Sequence, residues 1–365
     1  MIAELSIKNF KCFEALKLDL KPLNVLMGLN GMGKSTVIQS LLLLRQSYQA
    51  NGMRTLNLNG KYVLLGNGSD VLFERSEDEK IGFSVREDDG MILAEYNYLP
   101  ESDQLPSCLL ENKGFKNDSS VLLGERLLYL SAYRIDPRIL YRIADEKEIL
   151  KRDFGNNGEF AIHYLSLCGH QKVENDCVIY NSIEDRSLYE QVRCWLSLIA
   201  PGIMPQITVN PALRNAELKY SFREGEDRTN AYKSVNVGFG ITYVLPVIIA
   251  LLTAKPGDLL LLENPEAHIH PGGQRWLGEL IALASAGGVQ TIVETHSDHV
   301  LNGIRLAVKG KKIQPDNTNI FYFYKDQKDN YTHKVISPTI DQDGKIDIYP
   351  EGFLDEWDNA LLGLL

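Results

Sequence analysis

The chain of 365 residues is long for one compact domain and short for three, which favours one large core with an inserted subdomain, or two domains. Its formal net charge of −10 gives no general attraction to DNA or to an anionic membrane, so any nucleic-acid contact must come from a local basic patch or from a partner. The five cysteines, Cys12, Cys108, Cys168, Cys177 and Cys194, lack C-x-x-C spacing and argue for reduced thiols in a cytoplasmic protein, not for a disulfide frame or a zinc site.

Residues 2–7 alternate apolar and polar, as a half-buried strand does, and with Glu4 and Lys8 they lack the apolar core of a secretory signal. Residues 16–20 alternate again after a corner at 10–13. Residues 23–27 form a continuous apolar run, the pattern of a central strand buried on both faces. That run feeds N-V-L-M-G-L-N-G-M-G-K-S-T at 24–36, which fills the G-x-x-x-x-G-K-[ST] pattern, and a helical period follows over 37–48. The alternative is a glycine-rich turn that binds nothing, but the lysine and hydroxyl stand at the required offsets and both flanks have the right period.

The chemistry needs these residue types. Gly28, Gly31 and Gly33 let the backbone adopt turn angles that a Cβ would oppose, so that successive N–H groups point at phosphate oxygens. The helix beginning near Lys34 adds its positive end. Lys34 supplies a mobile charge for the β- and γ-phosphates, and the Ser35 hydroxyl is the expected Mg²⁺ ligand. Asn30 and Thr36 complete the expected ATP-binding stretch.

From about residue 60 to about 130 the pattern turns to short alternating runs, at 61–65, 80–86 and 91–99, with an Asp88-Asp89-Gly90 turn between the last two. These predict antiparallel strands that continue the sheet edge of the N-terminal region. Residues 100–120 read as a polar loop. Residues 135–200 read mainly as helices, with an amphipathic segment at 187–199, and form the expected inserted subdomain. The domain expectation is therefore 1–134, 135–205 and 206–365.

Downstream, the longest apolar run, 244–253, lies in a predicted helix at 241–252; it is interrupted by Pro246 and is too short to span a bilayer, so no membrane partner is expected. Residues 258–271 read D-L-L-L-L-E-N-P-E-A-H-I-H-P. Four leucines followed by Glu263 describe a buried parallel strand that delivers a carboxylate to its C-terminal tip, where α/β folds place ligands. Glu263 is the expected Mg²⁺-holding acid. Asn264 stands where a second acid would polarise the attacking water, and an amide cannot take a proton; Glu266 is the candidate replacement. Residues 289–294 form another apolar strand, ending before His296, which can donate to a γ-phosphate or to the attacking water. A metal cluster of His268, His270, His296 and Glu266 is disfavoured, because the first two fall in a turn.

The order of "GLNGMGKST", "LLLLENPEAHIHP" and "VETHSDH" resembles the ABC-type ATPase heads of the SMC, RecF and overcoming-lysogenization-defect (OLD) proteins. It is most similar to the compact stand-alone members with a DUF3696-type C-terminal region. The resemblance takes in "IKNFKCFEALKLDLKPLNVLMG" and "LYLSAYRIDP", and covers about two thirds of the chain. It implies an α/β P-loop NTPase fold, an ABC-ATPase-like head with a mixed central sheet, an antiparallel β edge and an inserted helical subdomain. In such heads a signature loop reaches the γ-phosphate of the other subunit. Residues 234–240 are the candidate here, with Asn236 in place of the usual serine and Gly238 before a helix; a plain helix cap is the alternative. Arg134 is a further candidate for charge stabilisation at the phosphates, or a surface or interface arginine.

The resemblance implies a slow ATPase, with ATP and Mg²⁺ as cofactors, that forms a homodimer or higher oligomer through its heads and drives a separate effector protein, a nuclease or toxin. That work would be DNA-linked, most often prokaryotic antiphage defence. No acidic or histidine cluster of nuclease type follows the head, so no intrinsic nuclease is expected. DNA would be reached through the partner or through a local basic patch, for which Arg305, Lys309, Lys311 and Lys312 are the candidates. The competing readings are an ATP-gated scaffold or sensor with little hydrolysis, a recombination ATPase of RecF type, and a transport ATPase, which the missing L-S-G-G-Q string disfavours.

Overall fold

A computed structural model describes residues 1–114, 120–225, 227–329, 331–353 and 356–364. The chain divides into two compact units, one made of residues 1–127, 318–339 and 346–365, the other of residues 128–317 and 340–345.

The first unit opens with β1 (Ile2–Phe10), β2 (Phe13–Asp19) and β3 (Leu23–Gly28), followed by α1 (Lys34–Asn51), β4 (Thr55–Asn57), β5 (Lys80–Glu87), β6 (Gly90–Asn97) and β7 (Gln104–Lys113). An antiparallel sheet runs in the order β2-β1-β5-β6-β7-β4. The expected edge is thus present, with β1 paired to β5 and the Asp88–Asp89 turn joining β5 to β6. Two local expectations differ. Residues 61–65 form no strand; Gln46 instead bonds the backbone there, its Oε1 accepting from Val63 N at 3.0 Å. The expected loop at 100–120 contains β7, paired to both β6 and β4, and residues 115–119 of that stretch lie outside the described residues. The strand escaped detection because Leu105 is its single fully buried side chain, and Pro106 beside an irregularity in the register hides the alternation.

The second unit begins within β8 (Leu127–Leu130), at Leu128, and continues through β9 (Tyr141–Arg142), α2 (Glu146–Leu150), α3 (Ala161–Cys168), α4 (Leu188–Ile199), β10 (Ile203–Asn210), β11 (Asn215–Glu224), β12 (Asp227–Arg228) and β13 (Tyr232–Lys233). Then come α5 (Phe239–Thr253), β14 (Leu259–Glu263), α6 (Pro271–Ala286), β15 (Gln290–Glu294) and α7 (Asp298–Lys309). Within the expected helical stretch α4 matches the amphipathic segment, whereas α2 and α3 are short. Gly155 and Gly158, both at positive φ, separate those two, and a Cβ on Gly158 would stand 2.6 Å from Pro246. β14 and β15 pair in parallel, register Leu259↔Gln290 to Glu263↔Glu294, and the four leucines of β14 are fully buried. Those leucines lie in a sheet covered on both faces, which is why the run carries no polar alternation.

The chain returns to the first unit with β16 (Thr318–Asp326), β17 (Thr332–Ile336) and α8 (Glu356–Leu364). β16 runs parallel to β3 and antiparallel to β17, which makes the sheet mixed. α8 follows residues 354–355, which lie outside the described residues. No helix among the described residues is long and apolar enough to cross a membrane.

Candidate nucleotide site

The phosphate loop of the first unit spans the gap between β3 and α1. Gly28 takes φ +136°, and a Cβ there would lie 2.3 Å from the Phe323 carbonyl oxygen of β16. Gly33, at φ +100°, caps α1; its Cβ would meet the Phe13 ring at 2.5 Å and Cys12 Sγ at 2.7 Å. These two glycines are therefore required both by dihedral and by packing. Gly31 has φ +76° but nothing within 4 Å of its Cβ position. Asn30 and Gly31 are exposed at the tip, Ser35 is half-buried, and Thr36 is buried, its Oγ1 3.8 Å from Cys12 Sγ.

Lys34 is only 3 % exposed. Its Nζ donates to the carbonyls of Gly28 at 2.8 Å and Leu29 at 2.7 Å. The α1 N-terminus has no side-chain cap and brings the charge preference of a helix start to the end of the loop.

In the second unit the carboxylates stand after β14. Glu263 Oε1 accepts from the Tyr129 hydroxyl at 3.3 Å and Oε2 from the Ala132 backbone N–H at 3.1 Å. Burial raises its pKa above the usual carboxylate range, against the opposing pull of those two bonds and of Arg134. Glu266 is 8 % exposed and also shifted upward by burial. Its Oε1 accepts from the His296 backbone N–H at 3.0 Å, while its Oε2 is buried with no hydrogen-bond partner among the described residues. Glu266 and His296 are thus brought together, with the His296 side chain exposed. Asn264 begins the turn after β14 at φ +42°, a region where asparagine is among the tolerated residues. Its N–H bonds the Glu294 carbonyl at 2.8 Å, which ties the turn to the tip of β15.

Arg134 is neither a surface residue nor a free cation. It is 4 % exposed, and it donates to the carbonyls of Ser131 at 2.9 Å, Glu263 at 2.7 Å and Asn264. Its guanidinium lies 5.1 Å from the Tyr243 ring centroid, and burial pushes its pKa down to about 10. The arginine fastens the backbone that presents Glu263. Tyr129, Ala132 and Arg134 are the residues missed as a supporting shell; all three lie within the "LYLSAYRIDP" string, which carried only a resemblance.

The two nearby histidines do structural work. His270 caps α6, its Nδ1 accepting from Gly272 N at 3.2 Å, and the His268 ring packs edge-on to Phe239 and Tyr243 at 4.8 and 5.0 Å. Gly240 is fixed by the same turn, since a Cβ there would stand 2.0 Å from the His268 carbonyl. Asn236 and Gly238 are exposed ahead of α5, beside the exposed apolar side chains of Val235 and Phe239. In the basic patch, Arg305 is engaged by Gly344 O and Asn302, and Lys312 by Glu279, so half of the patch is already paired.

Residues 23–302 match the family described as "AAA domain, putative AbiEii toxin, Type IV TA system". The chain belongs to this AAA family. Residues 313–364 match a second family, a protein of unknown function, DUF3696. Among curated proteins, the "OLD nuclease" of Thermus scotoductus is 22% identical over 322 residues, covering 81% of this chain and 59% of the relative. The chain therefore spans under two thirds of that relative's length. Solved structures share the fold at low identity. The Smc head domain of Pyrococcus furiosus, with an extended coiled coil and bound to the C-terminal domain of ScpA, superposes with TM-score 0.53 at 15% identity, covering 100% of this chain and 99% of that one. A second SmcHead, bound to the C-winged helix domain of ScpA, gives 0.52 at 14%, covering 93% and 98%. The AAA protein thus has the α/β P-loop fold shared by SMC head domains.

Proposed function

We propose that this AAA protein binds ATP with Mg²⁺, hydrolyses it slowly, and associates head to head around nucleotide to drive a partner. The observation that carries the reading is the loop between β3 and α1, where two glycines are forced by packing and Lys34 holds its ammonium inside the loop. A phosphate would take the place of those carbonyls on the ammonium and accept from N–H groups at the start of α1. Ser35 and Glu263 are the proposed oxygen donors for Mg²⁺. The donor set suits that ion, which takes few protein oxygens and completes its shell with phosphate and water. Glu266 and His296 are proposed for the attacking water.

Asn236 and Gly238 are proposed for the γ-phosphate of the opposing copy, supported by the exposed loop and its apolar flank of Val235 and Phe239. The effector is proposed to be a separate nuclease or toxin in DNA-linked work of the antiphage type. The ScpA-bound state of the SMC heads supports a partnered ATPase, and the name of the OLD relative supports a link to nuclease work.

A second reading, an ATP-gated scaffold with little turnover, is favoured by Asn264 and by the His296 N–H already bonded to Glu266. Sedimentation with ATP separates association from turnover. ATP should drive a dimer burying roughly 1,200–2,000 Å². Gly238→Asp should block it while folding normally, because a Cβ there meets only Ile241 at 3.8 Å and aspartate is a favoured helix cap. A dimer that forms equally well without nucleotide would contradict the head-to-head reading.

A further inference from the structure

The phosphate loop is fixed by packing at Gly28 and Gly33, but its tip is not, since a Cβ at Gly31 would meet nothing within 4 Å. What reaches the tip is His333, on β17 of the C-terminal segment. Its Nε2 lies 3.3 Å from the Gly31 carbonyl oxygen, and its ring packs edge-on to Phe13, centroids 6.0 Å apart. A carbonyl only accepts, so Nε2 carries the proton. Burial and the facing Lys325 lower the pKa of His333 and so favour the neutral ring, against the opposite pull of the Gly31 bond. The same hairpin already reaches the loop's other end, where the Phe323 carbonyl leaves room for glycine alone at position 28.

We propose that the β16–β17 hairpin, in the segment matched to the family of unknown function, is part of the nucleotide site, with His333 as a positioning residue for the phosphate loop. The peptide joining Gly31 to Met32 is planar and trans, so its C=O and N–H point in opposite directions. Holding the Gly31 oxygen from behind aims the Met32 N–H away from the hairpin, toward the space the phosphates would fill. The contact is to backbone and carries no information about the base, so its ligand class is the polyphosphate of any nucleoside di- or triphosphate.

The inference rests on ATP binding by this loop, and equilibrium titration of labelled ATP, ADP and GTP tests the two separately. His333→Phe keeps a ring against Phe13 and removes the donor. His333→Gln retains an N–H near the Nε2 position. The phenylalanine variant should bind ATP, ADP and GTP about three- to tenfold more weakly, by a common factor, as expected for one lost hydrogen bond. The glutamine variant should recover most of that loss, with the melting temperature of both near wild type. Wild-type affinity in His333→Phe, or equal losses in both variants, would overturn the clamp. Lys34→Ala run alongside identifies the other failure: if that variant keeps its ATP affinity, the loop itself is not the site.

Discussion

Arg134 offers the sharpest contrast between a catalytic and a supporting role. In the structure its guanidinium donates to three backbone carbonyls, those of Ser131, Glu263 and Asn264, and faces the Tyr243 ring. Hydrogen bonds from a charged donor contribute about 1.5–3 kcal/mol each, and the desolvation of a buried cation offsets several kcal/mol of their sum. Arg134→Met, which fills volume but leaves three carbonyls without their donor, should therefore lower unfolding stability by roughly 2–5 kcal/mol. Urea denaturation followed by fluorescence measures it, and Arg134→Lys should fall between methionine and wild type, since an ammonium cannot span all three oxygens in one plane. ATP turnover should decline in step with stability as the backbone presenting Glu263 loosens. Wild-type stability in Arg134→Met together with abolished turnover would refute the reasoning and return the arginine to the phosphates.

Glu266 carries a pH signature. Its pKa is raised in the folded state by burial, so the native protein holds a proton that the unfolded chain releases, and stability declines as pH rises from the ordinary carboxylate value of 4.5 through the raised one. Glu266→Gln should flatten the melting temperature across that window and close the gap to wild type below it; parallel curves would show that this carboxylate is not the source. His296→Ala should bind ATP and lose turnover by about 10²- to 10⁴-fold, the range of a positioned proton-handling group. Its side chain is exposed and any residue supplies the backbone N–H that Glu266 accepts, so the variant should fold, and unchanged turnover would remove the histidine from the reaction.

The parts of the fold legible in the sequence were those fixed by local pattern. The buried, mostly apolar β3, the glycine spacing and α1 announce one another, as do the four leucines of β14 and the acid at its tip. The parts that escaped are decided by tertiary partners. Lys34 has the offset of a phosphate lysine, but nothing local says that it is buried on the carbonyls of Gly28 and Leu29. Arg134 acts on a turn 130 residues away, and β7 exists because β6 and β4 flank it. The contact of His333 to Gly31 spans 302 positions, beyond the reach of any local pattern.

The central claim is that the loop between β3 and α1 binds ATP, and calorimetric titration of Mg²⁺–ATP into wild type and Lys34→Ala tests it most directly. Because Lys34 is buried, the variant should lose a little stability yet remain folded by circular dichroism. The account predicts saturable binding to the wild type and none to Lys34→Ala at the same concentrations. A folded Lys34→Ala protein with wild-type ATP affinity would contradict it.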